Sequence, residues 1–230
     1  MFKKTVALLA TSVLMTLNLA HAAVQGVDYE VMTKPIPQLQ QNKVEVLEFF
    51  SYSCPHCYHL EPVLLEHIKK FPSDTYLRPV HVFWDENYFN LERIAAAVNS
   101  THMKQEASLP IFEAIFEKHI DLSDPKIFKA WAAQQTSFNG TKLIQAYDSL
   151  ENTAAAYGMK NLSTEYNIDE TPLIIVGGKY RVKFPNGWEA GMNTVDELIN
   201  QVRQERNLPA PSNHPVLKGI GAALAASANQ

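Results

Sequence analysis

The spacing of apolar positions changes along the chain, and the changes mark its elements. Val44-Glu45-Val46-Leu47-Glu48-Phe49-Phe50 is short, β-rich and apolar nearly throughout, the mark of a buried strand. Ser53-Cys54-Pro55 follows as a helix start, since a first-turn proline lacks an N–H that would have had no intrahelical partner anyway. The helix continues from Tyr58 to Phe71 with Leu60, Leu64 and Ile68 spaced by four, and Pro62 is expected to kink it. Residues 75–83 form the next strand, which completes a βαβ unit, and residues 27–37 precede it as a short strand ending at Pro35 and Pro37.

From Leu91 to Lys160 the pattern turns helical and alanine-rich. Ile94, Ala97, Val98 and the run Pro110 to His119 carry apolar stripes, Asp124 before Pro125 is a capping signal, and Asn139-Gly140 separates two further helices. Strand signals return in Leu173 to Val176 and Lys179 to Val182, a hairpin pattern around Gly177-Gly178. Thr194-x-x-Glu197 reads as a capping box opening a last helix to about Arg206. The order βαβ, helical block, ββα predicts an α/β unit carrying a helical insert.

The termini read differently. Lys3 and Lys4, an apolar run from Val6 to Leu19, and Ala20-His21-Ala22 make the three parts of a secretory signal peptide, residues 1–22. The apolar run falls short of the roughly 20 residues needed to span a bilayer. No cysteine stands at the cleavage site, so a soluble, exported product without a lipid anchor is expected, in a compartment where disulfides persist. Residues 207–230, rich in proline and alanine, are expected to be a disordered tail.

Composition narrows the function. With 230 residues, 46% of them hydrophobic, and a net charge of −4, the chain can build a core and is not disordered along its length. A pI near 6.1 speaks against a general nucleic-acid binder. Two cysteines can make one disulfide and no framework.

Both cysteines lie in Cys54-Pro55-His56-Cys57, and a C-x-x-C beside a βαβ pattern reads as a redox dithiol. At a helix start, residues three apart can be bridged. The first sulfur faces unpaired N–H groups and the positive end of the helix dipole, which lowers the pKa of Cys54. Pro55 fixes the turn, and His56 can place a positive charge or a hydrogen bond beside the sulfur. Each favours the thiolate over the disulfide, and a pair that prefers to be reduced oxidises other thiols. The alternatives are a structural bridge, which would stabilise little across so small a loop, and a soft-metal site, with copper(I) the best match to thiolate and imidazole. Zinc would need four ligands, and no second C-x-x-C is present.

The stretch from Val46 to Tyr58, with Cys54-Pro55-His56-Cys57 at its centre, closely resembles the thiol:disulfide interchange proteins of the DsbA family, and the resemblance extends from about Tyr29 to Arg206. It implies a thioredoxin fold interrupted by a helical domain: residues 23–85 and 161–206 as the two parts of the thioredoxin-like domain, 86–160 as the insert. The family is itself a standard example of a low-pKa thiol and a strong dithiol oxidant, so those magnitudes come with the resemblance.

By the same resemblance Cys54 is the exposed nucleophile, Cys57 its shielded partner and His56 the residue that tunes oxidising strength. Thr171-Pro172 is the cis-proline position, where the backbone can pair with a substrate peptide. Glu48 is a buried acid assisting proton transfer at Cys57; the alternatives for it are a water-facing edge position or a pair with a lysine. Tyr52 and Tyr58 are candidate apolar contacts for substrate, or packing residues. His59 and His67 read as helix-surface residues. The resemblance further implies unfolded exported proteins with free thiols as substrates, reoxidation by a quinone-linked membrane partner of the DsbB type, and a periplasmic monomer without cofactor or metal. Competing readings are a disulfide reductase or isomerase, although residues 23–43 leave no room for the dimerisation domain that isomerases of the superfamily carry, a copper-binding protein, and a catalytically silent chaperone.

Overall fold

The computed structural model describes residues 22–211. The expected signal peptide up to residue 21 and the expected tail from residue 212 lie outside the described residues. The elements run β1 (Tyr29–Val31), β2 (Val44–Phe50), α1 (Pro55–Ile68), β3 (Thr75–His81), α2 (Phe89–Thr101), α3 (Lys104–Phe116), α4 (Pro125–Ala132), α5 (Gly140–Tyr147), α6 (Leu150–Glu165), β4 (Leu173–Val176), β5 (Tyr180–Val182) and α7 (Trp188–Glu205).

One sheet of order β1-β5-β4-β2-β3 organises them. β2 and β3 pair in parallel, with Phe50 opposite His81, because α1 carries the chain back to the starting end of the sheet. β4 lies antiparallel to β2 on its other side, and β5 antiparallel to β4. Every residue of β2 is buried, as a strand covered on both faces requires. Val44 and Val46 face Leu60 and Leu64 of α1 and the stripe Val195, Leu198, Ile199 and Val202 of α7. Leu47 and Phe49 face the opposite way, into a cluster with Val80 and Ile175 that α6 covers through Met159 and Leu162. A third cluster fills the insert of α2 to α6 and reaches Phe50, Tyr52 and Cys57 at the end of the sheet.

The local signals hold where chemistry fixes them. The Asp124 carboxylate accepts from the N–H groups of Lys126 and Ile127 and opens α4, and Asn139 caps α5 through Lys142 N–H. Gly177 and Gly178 turn the hairpin at φ +63° and +68°. Gly178 is also pressed against the chain: a Cβ there would lie 1.9 Å from the Ile36 carbonyl oxygen.

Several boundaries differ from expectation; α1 ends at Ile68 and β3 at His81, two or three residues early, and three others differ by more. The first strand is only Tyr29–Val31, since the prolines beyond it cannot extend a ladder. The helical block runs on to Glu165. α7 begins at Trp188, so Thr194 and Glu197 lie inside it and form no capping box. Thr194 Oγ1 donates to the Ala190 carbonyl (3.4 Å), and Glu197 accepts from the Ala23 N–H (2.6 Å). Tertiary packing moves the start upstream: Trp188 meets Phe184 edge-on at 5.0 Å, and α7 then passes Phe184 so closely that only glycine fits at 191.

Candidate active site

The end of β2 and the start of α1 place the cysteine pair. Cys54 is the N-cap of α1, with extended backbone at φ −96° and ψ 116°, and its sulfur accepts the Cys57 N–H at 3.3 Å. Pro55 occupies the first helical position. Both cysteines are free thiols; Cys54 is half-buried and Cys57 is 2% exposed. The two sulfurs are chemically unequal. Cys54 is held down to about 5, first by the Cys57 thiol donating to it, with burial opposing and the Thr171 side chain and the N–H groups of Cys57 and His56 adding to the stabilisation. Burial and the negative partner sulfur push Cys57 up, far above the usual thiol range.

Thr171-Pro172 comes from the far side of the insert and completes the site. The peptide bond between them is cis. As a thiol, Cys54 donates to the Thr171 carbonyl at 3.4 Å, and the Thr171 side chain reaches both sulfurs. His56 is exposed; its imidazole lies near His59, with ring centroids 6.4 Å apart, and its contact with the Cys54 sulfur runs through its backbone N–H.

Glu48 is buried and paired with a lysine at once. Lys104 Nζ lies 2.9 Å from Glu48 Oε2 and 2.9 Å from Glu61 Oε2, and all three side chains are nearly sealed from solvent. The ammonium also sits 4.4 Å from the centre of the Phe50 ring. Burial raises Glu48 to about 7 against the pull of Lys104, and the two carboxylates raise the pKa of Lys104 against its burial. Lys104 opens α3, so the insert supplies the cation for carboxylates on β2 and α1. The carboxylate of Glu48 is thus paired with Lys104.

Of the two tyrosines, Tyr52 is fully buried and packs on Phe50 and Phe112, which removes it from any substrate surface. Tyr58 stacks flat on Phe116 with centroids 5.4 Å apart and donates to Glu117, tying α1 to α3. His67 pairs with Asp196 of α7 at 2.9 Å.

Among the buried polar residues that sequence reading missed are Glu61, Lys104, His81 and Glu92. Two had a signal. Glu61 continues the buried positions Cys57, Leu64 and Leu65, and Lys104 lies three and four residues before Ala107 and Ser108. Glu92 is wholly buried on α2, where burial raises it to about 8. Among the described residues no three His, Cys, Asp or Glu side chains converge as a metal site would require.

Residues 39–199 match the family described as Thioredoxin. The chain is 30% identical over 201 residues to the thiol:disulfide interchange protein DsbA of Bordetella parapertussis, covering 86% of this chain and 94% of the relative. Against the protein of the same name from Burkholderia cepacia it is 29% identical over 211 residues, 89% of this chain and 99% of the relative. The crystal structure of reduced DsbA1 from Neisseria meningitidis superposes with a TM-score of 0.78 at 47% identity, covering 82% of this chain and all of that one. A thioredoxin-like sheet interrupted by α2 to α6, with a C-x-x-C pair at the N-terminus of α1, places the chain in the DsbA family of thiol:disulfide oxidoreductases.

Proposed function

We propose that the protein donates a Cys54–Cys57 disulfide to unfolded exported proteins in the periplasm. The observation that carries this reading is the placement of the two sulfurs: Cys54 caps α1 and accepts the Cys57 N–H at 3.3 Å while Cys57 is buried, so that one thiol is held down to about 5 and its neighbour pushed far up. A stable Cys54 thiolate favours the dithiol over the disulfide, and makes Cys54 a good leaving group.

A substrate thiolate attacks Cys54 Sγ, the Cys54–Cys57 bond breaks, and Cys57 leaves as a thiolate that takes a proton. Glu48, a buried acid raised to about 7 on the strand that leads to the dithiol, would assist that transfer while paired with Lys104. A second substrate thiolate attacks the substrate sulfur of the mixed disulfide and Cys54 departs as a thiolate. The substrate gains one disulfide and the enzyme becomes the dithiol, so electrons balance. The backbone of Thr171 before Pro172 pairs with the bound peptide beside Cys54, and Pro55 and His56 shape the turn that presents it.

A quinone-linked membrane partner of the DsbB type would restore the disulfide. Export through residues 1–22 would bring the enzyme to both substrate and partner. Among the described residues no helix is long and apolar enough to cross a membrane.

The test is equilibration with reduced and oxidised glutathione, together with oxidation of a reduced two-cysteine peptide. A strongly oxidising equilibrium is expected, and Cys54→Ser abolishes peptide oxidation. A thioredoxin-like reducing equilibrium, or activity retained in Cys54→Ser, overturns the proposal.

A further inference from the structure

His81 closes β3 with a wholly buried imidazole. The main-chain ladder between β2 and β3 ends at Phe50 and Val82, the last rung being Val82 N–H to the Phe50 carbonyl at 2.7 Å. Beyond that rung the chain turns toward Cys54, and the Tyr52 N–H goes to the His81 ring, Nε2, at 2.9 Å. A peptide N–H can only donate, so Nε2 is unprotonated and the proton of the neutral ring resides on Nδ1. Nδ1 has no hydrogen-bond partner among the described residues, so the Tyr52 N–H alone selects the tautomer. Phe50 packs against the ring edge-on at 5.3 Å and Tyr52 lies 5.5 Å away, which fixes its plane.

The peptide so held leads directly to the sulfurs. The Ser51 carbonyl accepts the Cys54 N–H at 3.0 Å, and the Ser51 hydroxyl accepts the Ser53 N–H at 3.3 Å. The Ser51 backbone also hydrogen-bonds the Cys57 sulfur, where it favours the thiolate. Burial, with the Lys104 charge adding, holds the imidazole down to about 3, so it stays an acceptor throughout the working pH range.

We propose that His81 is a positioning residue for the redox dithiol, its Nε2 anchoring the Ser51-Tyr52-Ser53 turn so that Ser51 meets both Cys54 and Cys57. This rests on the dithiol chemistry proposed above. His81 touches neither sulfur nor substrate, and acts through the Tyr52 N–H.

The experiment compares His81→Leu, which removes the acceptor, with His81→Gln, whose side-chain oxygen can restore it. The readouts are the Cys54 thiolate titration, followed by absorbance near 240 nm, and the glutathione equilibrium. His81→Leu raises the Cys54 pKa by about half a unit and makes the equilibrium less oxidising by roughly threefold. His81→Gln stays within about half of that change. Wild-type values in His81→Leu, or equal losses in both variants, overturn the proposal. Nitrogen-15 NMR of histidine-labelled wild-type protein serves even if His81→Leu does not fold: Nε2 unprotonated and Nδ1 protonated at pH 7 is expected, and a proton on Nε2 overturns the assignment. Should wild type fail to oxidise peptides, the donor function falls, while titration and NMR still judge His81.

Discussion

Glu48→Gln removes a charge that the fold tolerates badly. Burial raises the Glu48 carboxyl to about 7 from an ordinary 4.5, despite Lys104 at 2.9 Å. Each pKa unit is worth about 1.4 kcal/mol, so ionised Glu48 costs the folded state about 3 kcal/mol relative to the unfolded chain. The cost is absent below pH 4.5, where the carboxyl is protonated in both states. It grows as pH rises and is complete above pH 7, the opposite of a salt-bridged carboxylate with a depressed pKa. Glutamine mimics the protonated form and retains a neutral partner for Lys104, which keeps Glu61 at 2.9 Å. Urea unfolding of the dithiol form at pH 4 and pH 8 separates this effect from any fixed cost of the substitution, because groups not coupled to Glu48 titrate alike in both proteins and cancel. Glu48→Gln gains about 3 kcal/mol on wild type between the two pH values. An equal difference between the two proteins at both pH values would refute the reasoning, since the Glu48 carboxyl would then have the same pKa in the folded as in the unfolded chain.

The other predictions concern the sulfurs and the hairpin. The thiolate absorbance of the reduced protein rises with a midpoint near 5 and vanishes in Cys54→Ala; a midpoint near 9 would mean that the N-cap geometry does not stabilise the thiolate. Because that folded-state pKa lies below the unfolded one, the associated stability of the dithiol form is complete only above the unfolded thiol pKa and is lost as pH falls through about 5. Thr171→Val deprives the Cys54 thiolate of a donor and raises its pKa by up to about one unit, the worth of one hydrogen bond; an unchanged titration would show that the hydroxyl contributes nothing. Gly178→Ala forces a side chain into φ +68° and against the Ile36 carbonyl, and should cost at least about 1 kcal/mol in chemical denaturation; wild-type stability would show that the turn relaxes freely.

What the sequence revealed depended on whether a residue declared its surroundings. β2 was readable because seven consecutive residues are suited to a strand buried on both faces. The start of α1 was readable because Pro55 after a polar turn admits few other conformations. The lowered pKa of Cys54 followed from its place at a helix N-terminus, while the shielded role of Cys57 came with the family resemblance. The Lys104 cluster was not readable, because lysine and glutamate at helical spacing look like a solvated face until two elements close over them. Glu61 and Lys104 each continue an apolar stripe, but only the docking of α3 on α1 brings them together. His81 was hidden for a related reason, since its partner is a backbone N–H 29 residues earlier. The start of α7 was misplaced because Thr194 and Glu197 satisfy a local rule that the contact of Trp188 with Phe184 overrides.

The contact between Cys54 and Thr171 joins residues 117 apart in the chain, across the whole insert. Closing so long a segment carries an entropic cost that grows as about 1.5 RT times the logarithm of its length, offset only when the sheet and insert pack. Before closure, the N-terminal βαβ unit can present a C-x-x-C helix start, but Thr171 is absent from its sulfurs and Lys104 has not reached Glu48 and Glu61. A chain caught at that point carries a dithiol without its clamp. The stabilisation that Thr171 lends the Cys54 thiolate is therefore present only once the sheet and insert have closed, which ties part of the dithiol's chemistry to the completion of the fold.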